Sequence, residues 1–300
     1  MSLNSARRRT AARAFLLLVA YYPLANWAIR KANIPLGNLW EEIVLLIFLT
    51  FALVTSWRKV GRLLSSPVIL SALLFLSVSL FGFAANTYYI GAYVQEVRLA
   101  FEPFMAFAIL WLLVDGDTSG LLREMVPHLV TSATIIAFIG VYQYVRKVPV
   151  PAQWLDKDTE SGLISTRAFS LFGSPNVLAG YLEMIIPLGV YLTLARTKWY
   201  ERCAVAVCVL VMGSGFLLTL TRASWLSAAG SFFVGLLVLS PALAAGFAAA
   251  GAGILIAVPT FRLRMTNLLS TTYVDKSNNL GRLFRWRQAF VNLSDHPLLG

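Results

Sequence analysis

The sequence predicts an all-α fold, a polytopic transmembrane helix bundle of about nine spans with a cytoplasmic N-terminus. Three observations predict it. Of the 300 residues 58% are hydrophobic and 13% are charged, whereas an ordinary soluble domain carries about 25% charged residues. Leu-, Ala- and Val-rich runs of roughly 17 to 23 residues recur along the chain, each long enough to cross a hydrocarbon core of about 30 Å. Eight Trp, 11 Tyr and 19 Phe supply aromatic belts for two membrane interfaces. A soluble globular domain is excluded.

The first run, at about 14–29, follows Arg7, Arg8, Arg9 and Arg13. This resembles the basic start of a signal peptide. No small-residue cleavage site is clear and further spans follow, so it reads as a retained helix. The other runs lie at about 39–56, 67–85, 93–114, 125–144, 174–195, 203–220, 223–239 and 243–259. The hinges between them are rich in Pro, Gly, Asn and charge. Residues 1–259 are expected to form the bundle, and 260–300 to begin an outer, extracytoplasmic loop. The end at Gly300, with no further span, reads as the N-terminal part of a longer protein.

Orientation follows from loop charge. With the N-terminus inside, the inner segments hold 11 of the 25 Lys and Arg in about 44 residues, and the outer ones hold 13 in about 88. Density favours this orientation and the raw count does not. The rule weights short loops and the first helix, and the arm before span one and the turns 57–62 and 196–202 are such places. The formal charge of +11 is divided among these clusters. It therefore reads as topology signal and lipid contact, and no nucleic-acid partner is expected. Two longer basic segments, 145–173 and 260–300, fall outside. The second carries Arg262, Arg264, Lys276, Arg282, Arg285 and Arg287 against Asp275 and Asp295. Topology does not require these arginines, so they serve either lipid headgroups or an anionic partner.

Ionisable groups at membrane depth are costly and are functional candidates by default. Arg98 and Glu102, four apart in span four, share a helix face and can neutralise each other. Pro103 beside them is expected to kink the helix and shape a cavity. In Gly173-Ser174-Pro175-Asn176, Pro175 suits the first turn of span six, with Ser174 as its cap. Asn176 serves either that turn or a cavity. Glu183 lies about 10 Å further along the helix on nearly the same face, and is expected to face a polar interior.

Leu220-Thr221-Arg222-Ala223-Ser224-Trp225 joins spans seven and eight so tightly that Arg222 sits at the outer edge or dips into the bundle. A snorkelling arginine is the plain alternative. From Gly281 to Phe290, Leu283, Trp286 and Phe290 form one helical face and Arg285 points elsewhere, the pattern of an interfacial amphipathic helix. Arginine's planar fork suits phosphate. Arg167, Arg222 and Arg282 are thus the candidate ligands for a phosphorylated lipid. His128 and His296 are weak candidates, and Cys203 and Cys208 are read as apolar packing residues. No Ser-His-Asp arrangement, zinc spacing, Walker-type loop or glycosidase-type carboxylate pair is evident, and no metal or other cofactor is expected.

Three motifs occur in order: Phe172-Gly-Ser-Pro-Asn176-Val-Leu-Ala179, Leu218-Thr-Leu-Thr-Arg222-Ala-Ser-Trp225, and Gly281-Arg282 through Trp286 and Ala289 to His296-Pro-Leu-Leu-Gly300. Together they resemble the bacterial O-antigen ligase and polymerase superfamily over about residues 165–300. The N-terminal spans match in hydropathy only. The resemblance implies a bundle of around a dozen spans in the bacterial cytoplasmic (inner) membrane. Such a protein moves a glycan from an undecaprenyl-pyrophosphate carrier to an acceptor sugar hydroxyl without a metal or nucleotide. It implies Arg222 and Arg282, with Arg167 as a third, as pyrophosphate ligands. Its partners are then a lipid-linked glycan donor, a glycan or lipid acceptor and membrane lipid. The family's histidine lies further along the outer loop, and His296 does not match its position. The competing expectations are a transporter or flippase for a polar or lipid-linked solute, with Glu96, Arg98, Glu102 and Glu183 lining a path, and a non-catalytic scaffold.

Overall fold

The fold was examined in a computed structural model that describes residues 3–35, 37, 39–85, 90–114, 118–151, 154, 166–259, 262 and 277–295. These residues are almost wholly helical, and no strand occurs among them. The helices are α1 (Leu3–Lys31), α2 (Trp40–Thr55), α3 (Val60–Leu64), α4 (Pro67–Ala85), α5 (Ile90–Leu113), α6 (Thr118–Val145), α7 (Pro175–Ala195), α8 (Trp199–Leu218), α9 (Arg222–Leu239), α10 (Pro241–Ala257) and α11 (Ser277–Asp295).

Each of the nine apolar runs is a helix. Among the described residues six are long and apolar enough to cross a membrane: α1, α4, α6, α7, α8 and α9. A seventh candidate is α2 together with the stretch Trp57–Leu64, which turns by 87°. Helix α10 is shorter in its apolar part, and α5 carries Glu96, Arg98 and Glu102 within its first 13 of 24 residues. Large apolar side chains point outward on nearly every helix, with Val54 76% and Val238 82% exposed. A water-soluble surface rarely shows apolar patches larger than a few hundred Å². Lipid makes such an exterior cheap, and the chain is a multi-pass membrane protein.

Helix bonding within each span satisfies the backbone where no water can. Pro23, Pro103, Pro127 and Pro187 all lie inside helices that continue through them.

The chain divides into two compact units, residues 1–125 with 281–300, and residues 126–280. In the first, Phe15 of α1, Ala52 of α2, Ile109, Leu112 and Leu113 of α5 and Leu121 of α6 form a buried core. The turn after α2 is held from α5: Ser56 Oγ donates to the Leu112 carbonyl at 2.8 Å. Lys59 Nζ donates to the Leu112 and Val114 carbonyls, both at 3.3 Å. A lysine there also complements the negative C-terminal end of α5. Arg8 donates to Ser56 Oγ at 3.3 Å, and Arg13 pairs in a fork with Glu124 at 2.8 and 2.6 Å.

In the second unit α7 packs closely on α8. A Cβ on Gly215 of α8 would meet the Cβ of Ala137 on α6 at 3.0 Å and its backbone at 3.2 Å. Small residues are what let membrane helices approach this closely.

Helix α11 covers the predicted amphipathic segment. Leu283, Trp286, Phe290 and Leu293 lie along one stripe and are all more than half exposed.

Candidate functional site

The second unit brings together three segments that are far apart in sequence. Residues 166–174 are not helical, yet Thr166, Arg167, Ala168 and Ser170 are buried. Polar bonds hold them there. The Ala168 amide donates to the Leu218 carbonyl at 3.0 Å. Gln143 of α6 clasps Ser170, accepting from its amide at 2.6 Å and donating to its carbonyl at 3.0 Å. Ser170 Oγ donates to the Ile136 carbonyl at 2.6 Å. Buried irregular backbone persists only where other groups satisfy its polar atoms in this way.

Arg167 is the centre of the arrangement. Its Nε donates to the Thr219 carbonyl at 2.8 Å and one terminal nitrogen to the Trp154 carbonyl at 3.1 Å. The other terminal nitrogen reaches Thr221 Oγ1 at 3.1 Å, with the Leu220 carbonyl and Asn176 Oδ1 each at 3.4 Å. The Thr221 hydroxyl in turn donates to Asn176 Oδ1 at 3.2 Å. One guanidinium thus ties the turn between α8 and α9 to the start of α7.

The turn itself is constrained. Leu220 has φ 53°, a left-handed conformation that costs a non-glycine residue roughly 1–2 kcal/mol. Thr221 follows, and then Arg222, the first residue of α9, which is 7% exposed. A cation at a helix N-terminus opposes the helix dipole, so this position is unfavourable unless an anion is to be held. The N-terminus of α7 lies at the same place. Ser174 caps it by accepting from the Asn176 amide at 3.2 Å, with Pro175 in the first turn, as the spacing predicts. Arg167 and the positive ends of α7 and α9 therefore meet, and Arg222 is the first residue of α9. Such an arrangement can hold an anion with several charged oxygens.

Compared with family models, with curated proteins and with solved structures, the chain matches none.

Other predicted site residues lie elsewhere. Glu183, deeper on α7, accepts from Ser227 Oγ of α9 at 2.5 Å. Arg98 and Glu102 belong to the first unit and do pair, at 3.0 Å. The pair is not self-contained, because Arg98 also meets Glu42 at 2.5 Å and Glu41 at 3.6 Å. The side chains of Arg282 and Glu96, and all of His296, lie outside the described residues.

Sequence reasoning missed Glu41 and Glu42. Their signal was available: two acids at the start of an apolar span, where the dipole of α2 favours carboxylates. It also missed Thr219, Thr221 and Gln143. Thr219 contributes a carbonyl, for which the side-chain sequence carries no sign.

Proposed function

We propose that this chain belongs to a glycan transferase of O-antigen ligase type. It takes a glycan from an undecaprenyl-pyrophosphate carrier to a sugar hydroxyl on a glycan or lipid acceptor, at the outer face of the bacterial cytoplasmic membrane. The observation that carries the reading is that Arg167 bonds Asn176 at the start of α7 and Thr221 just before α9, the helix whose first residue is Arg222. The first two motifs of the resemblance supply Asn176 and Arg222, and Arg167 lies just ahead of the first.

The reading includes nine spans with the N-terminus inside. Supporting it, the basic segments assigned to the inner side gather at one end of the first unit: Arg8 bonds Ser56, Lys59 bonds the last carbonyls of α5, and Arg13 bonds Glu124. Short basic loops of this kind stay in the cytoplasm.

In the reaction the sugar's anomeric carbon–oxygen bond to the pyrophosphate breaks and a new bond forms to the acceptor oxygen. Negative charge grows on the departing pyrophosphate. Arg222, fixed at a helix N-terminus, stabilises that charge with little reorganisation, and a buried setting strengthens the effect. Arg167 has most of its donors committed to the turn and acts by holding Arg222 in place, while adding its own positive charge. The resemblance implies Arg282 beside Arg222 as a leading pyrophosphate ligand, with Arg167 as the third. The acceptor hydroxyl needs a base, in the resembling family a histidine of the large outer loop.

The test is transfer by the full-length protein carrying Arg222→Ala or Arg282→Ala. Both are expected to lose transfer while inserting normally, and normal transfer by both removes the reading. The charged cluster around Arg98 favours a second reading, a transporter or flippase. Uptake into vesicles that is lost in Glu183→Gln would support it over the first.

A further inference from the structure

The first unit contains a cavity of about 370 Å³ among α1, α2 and α5, within the size range of small-molecule sites. Its wall is mostly apolar, with Leu18, Val44 and Ala106 among its lining. Two features break that surface. Tyr22 and Trp40 stand side by side with ring centroids 5.6 Å apart and planes 22° from parallel. Glu41 and Glu102 bring carboxylates to the wall.

The charge around this cavity does not balance locally. Glu41, Glu42 and Glu102 share the single guanidinium of Arg98. The next cation, Arg30, is one helical turn beyond Asn26 and donates to it, as does the Trp40 indole. Even with Arg30 included, three carboxylates face two cations among the described residues. The Glu41 side chain is 11% exposed and Glu102 is 24% exposed. Glu102 lies about 18 Å along α5 from Ile90, well inside the run. A largely buried carboxylate whose charge is not fully compensated is unfavourable and is stabilised strongly by a positive partner. Stacked aromatic faces add cation–π attraction for the same kind of group.

From this charge complementarity we infer that the cavity binds a hydrophobic cation, a single ammonium head on an apolar chain, that enters from the bilayer. The head lies against Glu41 and Glu102 beside the Tyr22 and Trp40 rings, and the chain lies along the apolar wall. This site belongs to the first unit alone. It is independent of the pyrophosphate reading, so either can fail without the other.

The test uses the full chain in a neutral maltoside detergent and radiolabelled decyltrimethylammonium in equilibrium dialysis against protein-free micelles. The expected result is saturable retention of about one probe per chain. Unlabelled decylamine should displace it, and decanol or decyl sulfate should not. Glu41→Gln with Glu102→Gln should weaken retention at least tenfold. Ala106→Phe, which fills the cavity and leaves the charges alone, should do the same. Trp40→Leu should weaken it several-fold. The displacement pattern on the unmodified chain decides the matter even where a variant fails to fold. Retention no greater than in empty micelles, equal displacement by decanol, or wild-type retention by the folded double variant would each overturn the inference.

Discussion

Two arginines, one in each unit, are accommodated in opposite ways. Arg98 in the first unit is surrounded by carboxylates: Glu41, Glu42 and Glu102. Arg167 in the second bonds to carbonyls, a hydroxyl and an amide oxygen. Carboxylates cancel a guanidinium's charge, and here they exceed it. Neutral oxygens satisfy its N–H groups without themselves carrying negative charge. The first unit therefore builds a site with negative character and the second a site with positive character. Arg222, the first residue of α9, follows directly on Thr221, which Arg167 bonds. The lesson is that a buried ion's partners tell more about function than the ion does.

That contrast is open to attack by substitution. The largest effect on stability is expected from Arg167→Ala. It strips donors from the Thr219, Leu220 and Trp154 carbonyls and should cost about 3–5 kcal/mol, the range for removing one partner of a buried charged network. Arg167→Lys restores the charge without the planar fork and should fall between. Denaturation of the full-length protein in mild detergent measures both. Arg222→Ala should leave stability nearly unchanged and lower transfer about 100- to 1000-fold, the usual loss for a group that stabilises developing negative charge. A variant that unfolds instead would make Arg222 a structural residue.

In the first unit, Arg98→Ala leaves three carboxylates together. It should cost about 2 kcal/mol, between the values for surface and buried pairs. Glu42→Gln should cost much less, because it relieves part of the surplus charge. If instead the two substitutions cost the same, the cluster is a set of plain ion pairs. Gly215→Ala should destabilise by about 1 kcal/mol, since its Cβ would press on the Ala137 backbone. Gly230→Ala, which meets nothing within 4 Å, serves as its control. The smallest effect belongs to Glu124→Gln. The Arg13–Glu124 pair is about half exposed on both sides, and its loss should not shift the melting temperature measurably.

Much of the fold was legible. The apolar runs marked nine helices, because lipid leaves length and hydropathy to do the work that periodicity does in water, but α1 and α6 begin at Leu3 and Thr118, well before the runs at 14 and 125. Ser174-Pro175 announced the start of α7, and local chemistry settles such caps. The bend after Thr55 was not foreseen, since Ser56 and Lys59 are held by the far end of α5. The candidate site was half legible. Arg167, Asn176 and Arg222 stood out because each is polar within or beside apolar sequence. What joins them did not, because the joints are main-chain carbonyls and the Thr221 hydroxyl. Pairing Arg98 with Glu102 was right as far as it went. Helix spacing reveals a partner four residues away, and Glu42 is more than fifty residues away.

The most direct measurement is binding of undecaprenyl pyrophosphate to the full-length protein in nanodiscs, for the unmodified chain, Arg222→Lys and Arg222→Ala. The account predicts saturable binding that is weakened by the lysine, which keeps the charge, and largely lost with the alanine. Equal binding by all three would contradict it, and the two arginines and two helix ends of the second unit would then be parts of its packing alone.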